Sequence, residues 1–168
     1  MRRRFALAGL VALIVGAGCA SRRVESGDTF SSPKGYSVRL PGGPWQVESE
    51  GSADIALRRP SANAGMLVNA ACDGGAARRS LDALARQLLA GLHDRRVLEN
   101  GEVTVNGRRA AHALLEARGS DGAAPMRIEM YVIKVGRCVY DFLYAAPPAT
   151  FDTWRGDFHG LVETLRTE

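Results

Sequence analysis

Histidine, cysteine and lysine are scarce in this chain: three, three and two among 168 residues. The histidines and cysteines are scattered without metal-ligand spacing, so no metal site is expected. No Gly-rich phosphate loop, nucleophile elbow or paired-carboxylate motif appears, so no catalytic residue and no cofactor is assigned. The chain also lacks an apolar run long enough to cross about 30 Å of hydrocarbon as a helix. The longest such run, residues 5–15, is too short. Charge of one sign is missing as well. The formal charge of +4 owes three units to Arg2, Arg3 and Arg4, which lie in a segment expected to be removed. Without them 22 − 3 = 19 basic residues face 18 acidic ones, a net of +1. Nucleic-acid binding, which needs a concentrated basic patch, is not expected.

What is present begins with an address. Residues 1–4 are basic, residues 5–15 are apolar, Gly16-Ala17-Gly18 is small, and Cys19 follows. This is the tripartite layout of a secretory signal. Small residues before a cysteine resemble the lipobox of bacterial lipoproteins, in which the cysteine is acylated and becomes the mature N-terminus. The expectation is a signal peptide over 1–18, a lipid on Cys19, a flexible tether over 19–29 and one domain over 30–168. The chain then meets the membrane through its N-terminal lipid. Gly16 departs from the usual larger aliphatic residue, which leaves cleavage near Ala17 by ordinary signal peptidase as the alternative. Ala20 after the cysteine favours, by analogy with enteric bacteria, the outer membrane facing the periplasm. With Cys19 lipidated, Cys72 and Cys138 remain as an even pair in an oxidising compartment. They are read as a disulfide or as two buried thiols.

Residues 126–145 read as the centre of the fold, two strands joined by Gly136-Arg137, a pair suited to a type II′ turn. That turn sets Val135 opposite Cys138, Ile133 opposite Tyr140, Tyr131 opposite Phe142 and Glu129 opposite Tyr144. The other face carries Ile128, Met130, Val132, Val139 and Leu143 with Asp141. Both faces are apolar, so the sheet must be covered on both sides. Asn106-Gly107 marks a type I′ hairpin between strands at 102–105 and 108–117. Earlier strands are expected at 35–40, 55–58 and 66–72. Ser80 caps a helix in which Leu81, Leu84, Ala85, Leu88, Leu89 and Leu92 form one stripe. A last helix over 150–166 carries Phe151, Trp154, Phe158, Leu161, Val162 and Leu165 on its stripe, with His159 on its polar side. One helix per face gives an α+β architecture: an α/β/α sandwich with a central, mostly antiparallel sheet covered by helices on both faces.

The opening Gly35-Tyr36-Ser37-Val38-Arg39-Leu40-Pro41 with Trp45 resembles that of the PsbP-like fold. So do Val105-Asn106-Gly107-Arg108, the aromatic strand Tyr140-Asp141-Phe142-Leu143-Tyr144-Ala145, and a final helix ending Leu161-Val162-Glu163-Thr164-Leu165-Arg166. The similarity spans about residues 29–167 as an order of elements. It implies a PsbP/DcrB-type bacterial lipoprotein, in a superfamily whose known members are largely binding or assembly proteins without a catalytic centre. Fold transfers on such a resemblance far better than function.

Two residues are candidates for a polar site. Asp141, among apolar neighbours, is a base or ligand, or else the partner of Lys134 diagonally across the strands. His112 is a base, or else a satisfied or exposed histidine. The expected function is a lipid-anchored, non-enzymatic binding or assembly module of the cell envelope with an envelope protein as partner. A small-ligand or metal carrier is the alternative, and an exported hydrolase using His112 or Asp141 ranks last. Residues 119–125, with the sheet edge and tether, form the expected interaction surface.

Overall fold

The computed structural model describes residues 22–23, 28–48, 51–118 and 124–168. The expected signal peptide, Cys19 and most of the 119–125 loop lie outside the described residues. In chain order the strands are β1 (Arg22–Arg23), β2 (Thr29–Ser32), β3 (Tyr36–Arg39), β4 (Gln46–Glu48), β5 (Ile55–Arg59) and β6 (Ala64–Ala71). Helices α1 (Gly74–Ala77) and α2 (Leu81–Leu88) follow. Then come β7 (His93–Val105), β8 (Arg108–Arg118), β9 (Met126–Val135), β10 (Cys138–Ala146), helix α3 (Phe151–Glu163) and β11 (Arg166–Thr167).

The central hairpin folds as its turn dictates. Gly136 takes φ +58°, the left-handed region that a II′ turn demands of its first residue. The pairs Val135–Cys138, Ile133–Tyr140, Tyr131–Phe142 and Glu129–Tyr144 all form. Asn106 (φ 49°) and Gly107 (φ 74°) make the β7–β8 turn, with both central residues at positive φ as type I′ requires. Around these hairpins the described residues form an eight-stranded sheet in the order β1-β4-β5-β6-β10-β9-β8-β7. Every neighbouring pair in it is antiparallel. A second sheet runs β11-β3-β2.

Residues directly opposite one another share a face, so the pairing defines two cores. Tyr140, Phe142 and Tyr144 sit beside Ala70, Val68 and Met66 on one face. There they meet Phe151, Phe158 and Leu161 of α3 together with Tyr36, Val38 and Trp45. The second face buries Met130, Val132, Val139 and Leu115 against Leu84 and Ala85 of α2. The polar tips of Trp45 and Tyr144 in this core find partners, as buried polar groups must. Trp45 Nε1 donates to Asp157 Oδ2 at 2.8 Å, and Tyr144 Oη donates to the Phe151 carbonyl at 2.9 Å.

Four differences from the expected elements have local causes. The leucine helix stops at Leu88 rather than Leu92, and Gly91 at φ 89° turns the chain away. β7 starts at His93, well before Glu102; twelve of its thirteen residues are exposed, so the burial alternation that signals a strand is absent. The last helix ends at Glu163, and Arg166–Thr167 instead pairs with β3. Within the segment expected to be a tether, Arg22 and Arg23 pair with Val47 and Gln46 at the edge of the large sheet, and Thr29 already belongs to β2.

Candidate functional site

Strand alternation sends Glu129 and Tyr131 of β9 to the α3 face, and the β8–β9 register lays His112 directly beside Tyr131. Arg155 and His159 are four apart on α3, so they project from one side of the helix over the same spot. All converge on Glu129, whose side chain is wholly buried. Arg155 forks onto it, Nε to Oε2 at 2.8 Å and Nη2 to Oε1 at 2.9 Å. His112 Nε2 stands 2.9 Å from Oε1, His159 Nε2 lies 3.2 Å from both oxygens, and Tyr131 Oη donates to Oε1 at 3.3 Å.

Burial by itself raises the Glu129 carboxyl, but the hydrogen bonds from His112, His159 and Arg155 together outweigh it and hold the group well below the usual carboxylate range. An ionised carboxylate only accepts, so both imidazoles must present Nε2–H to it. Among the described residues, none is hydrogen-bonded to their Nδ1 atoms. Burial pushes the Tyr131 hydroxyl up, and the Glu129 charge pushes it further. The phenol therefore stays a neutral donor. Arg155 is raised by its bond to Glu129.

A cleft of about 390 Å³ opens beside this cluster, lined among others by Glu99, Val103, His112, Tyr131, Arg155 and His159. The carboxylate–imidazole pair has the orienting half of a catalytic triad. The other half is missing: the cleft lining holds no serine or cysteine, and neither histidine bonds to Thr104, its aliphatic hydroxyl. Arg155 occupies both carboxylate oxygens. Among the described residues no group of three or more His, Cys, Asp or Glu is arranged around a metal position. The cluster is built as a clamp between α3 and the sheet.

Of the residues singled out in the sequence, His112 is in this cluster, buried and hydrogen-bonded. Asp141 is on the opposite face, and its expected ion pair does not form. Lys134 Nζ instead donates to the Arg79 carbonyl at 2.8 Å, because the segment before α2 passes within reach of that amine. Asp141 has no hydrogen bond or ion pair from any described residue, and burial pushes its carboxyl up to about 6. Cys72 directly follows β6, and the Val139–Ala71 pairing places it opposite Cys138. Their Cα atoms are 4.0 Å apart and the sulfurs are bonded. His159, read as lying on the polar side of the last helix, turns toward Glu129 instead. Glu129 and Arg155 were missed. The signal available was Glu129 itself, a carboxylate on the aromatic face of an otherwise apolar strand.

Helical layers cover both faces of an antiparallel sheet, with a lesser three-stranded sheet on the aromatic side, and solved structures of the PsbP-like fold share this arrangement. The similarity of this chain to solved structures is broad in extent and low in identity. The cyanobacterial PsbP (CyanoP) of Synechocystis matches with a TM-score of 0.57 at 11% identity, over 95% of this chain and 100% of that one. LpqN of Mycobacterium tuberculosis, a protein involved in cell envelope biogenesis, matches with a TM-score of 0.58 at 12% identity, over 89% of this chain and 91% of that one. The yeast Ran-binding protein Mog1p matches with a TM-score of 0.50 at 12% identity, over 89% and 96%. No protein-family model and no curated protein matches the chain.

Proposed function

We propose that this chain is a lipid-anchored protein of the bacterial cell envelope, held at the outer membrane facing the periplasm, that works as a non-enzymatic binding or assembly module. The observation that carries this reading is the distribution of exposed apolar side chains. Val97, Leu98 and Val103 are the large hydrophobics exposed among the described residues, and all three are on β7. β7 is thirteen residues long and, among the described residues, forms a free edge of the eight-stranded sheet. A long free edge is a template for another chain. Register shifts at 93/96 and 97/99 interrupt its ladder, which limits indiscriminate pairing while leaving the regular stretch from Asn100 onward available. The Glu129 cluster supports the same reading, since its carboxylate is taken up by Arg155, His112, His159 and Tyr131. LpqN, of the same fold, is itself described by its part in envelope biogenesis.

The test is site-directed photocrosslinking in intact cells from Val97 and Val103, with Arg86 on α2 as the control position. A discrete protein adduct from β7 and none from α2 is the expected result. The reading fails if β7 yields no adduct and the purified protein turns over a substrate in a manner lost in His112→Ala.

A further inference from the structure

The face of the sheet under α1 and α2 holds a second feature, independent of the β7 edge. A cavity of about 540 Å³ lies there, within the range of small-molecule sites. Its walls are apolar where Leu84, Leu88 and Val139 contribute, and polar where Asn69, Gln87 and Asp141 do. Asp141 stands between Asn69 of β6 and Val132 of β9 in the sheet. It is a half-buried carboxylate that lines the cavity and has no hydrogen bond or ion pair from any described residue. Its acceptors are left to solvent or to a ligand that enters the cavity.

We propose that this cavity binds a small molecule bearing an ammonium or guanidinium group, with the Asp141 carboxylate as its counter-ion and Asn69 and Gln87 as flanking hydrogen-bond partners. The charge around the site selects this class. The charged groups around the site are Asp73 and Arg79 from the α1–α2 segment, Lys134 from β9, and Lys34, whose Nζ lies 3.5 Å from Asn69 Oδ1 but is paired with Asp54 Oδ1 at 2.6 Å. Asp73 Oδ1 accepts from the Ala76 amide at 2.8 Å. Lys134 spends its amine on the Arg79 carbonyl, and Arg79, exposed, gives Nη1 to Gln87 Oε1. An anionic ligand would meet two carboxylates at once. A purely apolar ligand would seal Asp141 away with its acceptors empty, which is worse than leaving it wet. A cation with N–H donors supplies both the charge and the bonds, and its methylene stem suits Leu84 and Leu88. The cation must compete with the proton: burial alone has pushed the carboxyl to about 6, so binding weakens as pH falls through that value.

The experiment titrates the purified mature chain, amide-labelled for NMR, with 1,4-diaminobutane, spermidine and agmatine at physiological salt, and with 1,4-butanediol as the uncharged control. Saturable shifts at the Asn69, Ala76 and Val139 amides are expected from at least one amine and not from the diol. Affinity falls about tenfold or more between pH 7.5 and pH 5, where the amines themselves stay charged. Asp141→Asn loses the binding by a similar factor while its urea midpoint at pH 7 is unchanged or higher. Leu88→Trp, which fills the cavity without altering the carboxylate, blocks binding too, and serves as the second variant should Asp141→Asn fold poorly. Arg79→Ala retains binding. The proposal is overturned if no amine saturates, if the diol matches the amines, if Asp141→Asn binds like the parent, or if Arg79→Ala abolishes binding.

Discussion

Arg155 grips Glu129 through two parallel hydrogen bonds, Nε to Oε2 and Nη2 to Oε1, across the boundary between α3 and the sheet. A forked guanidinium–carboxylate pair is the strongest polar contact available to side chains, and here its acceptor is fully buried. Arg155→Met keeps the aliphatic stem but leaves the carboxylate to His112, His159 and Tyr131. Removing hydrogen bonds to a buried charge costs about 2–3 kcal/mol. Urea denaturation at pH 7 is expected to show a loss of that order, and an unchanged midpoint contradicts the clamp. Arg155→Lys recovers little of it, because a single ammonium cannot reproduce the fork.

The pH profile of stability follows from two carboxylates shifted in opposite directions. Glu129 is held below the unfolded value of about 4.3, so the stability it contributes is complete above that value and is lost as pH falls beneath it. Asp141 is raised from 3.8 to about 6, so the folded state binds its proton more tightly. Stability therefore rises as pH drops from above 6 toward 4, by on the order of 1–3 kcal/mol. Together they place the maximum in mildly acid solution, between about pH 4 and 6. Urea midpoints from pH 3 to 8 measure it. Asp141→Asn is expected to flatten the slope between pH 4 and 7 and leave the acid limb intact; an unaltered slope refutes the assignment.

The sequence was most legible where one residue imposes a backbone state. Gly136 and Asn106-Gly107 announce positive φ, and the register of four strands follows from them. The apolar stripes of α2 and α3 were likewise visible, since burial of one helix face leaves a 3.6-residue period. β7 was largely hidden because an edge strand exposed along its length carries no alternation. The polar cluster was hidden for a different reason. His112, Glu129, Arg155 and His159 lie on three elements, and only the tertiary path of α3 over the sheet brings them within hydrogen-bonding range. Asp141 illustrates the converse: a face and a diagonal neighbour were correctly placed, yet Lys134 has a nearer acceptor in the Arg79 carbonyl.

The disulfide gives a redox prediction. Cys72 and Cys138 are 66 residues apart in sequence. Chain-entropy arguments assign a bridge over a loop of that length about 4 kcal/mol. Non-reducing peptide mapping of protein purified from the envelope should recover the Cys72–Cys138 peptide pair, and reduction should lower the urea midpoint. Two alkylatable thiols in the untreated protein would sink the prediction. The bridge links β10 to the end of β6, so its loss should loosen the α1 side of the cavity more than the α3 clamp.

The lipid anchor yields the last prediction, and β1 sharpens it. Arg22 begins a strand paired with β4, and it stands three residues after Cys19. Three residues span at most about 10 Å, whatever their conformation. An acyl chain on Cys19 would therefore hold the β1 edge of the large sheet close to the headgroups, not at the end of a long leash. Intact mass of the mature protein is expected to show an acylated cysteine as first residue. Cys19→Ser should move the domain from the membrane fraction to the soluble one without changing its urea midpoint. Inserting a twelve-residue Gly-Ser linker between Cys19 and Arg22 keeps the anchor but lifts the tether limit to several times that distance in extended form. If apposition to the membrane positions the β7 edge for its partner, the crosslinked adduct from Val97 weakens in the linker variant while membrane retention is complete. An unmodified chain beginning near Gly18 would refute the anchor. An undiminished adduct in the linker variant would refute the need for close apposition while leaving the anchor itself in place.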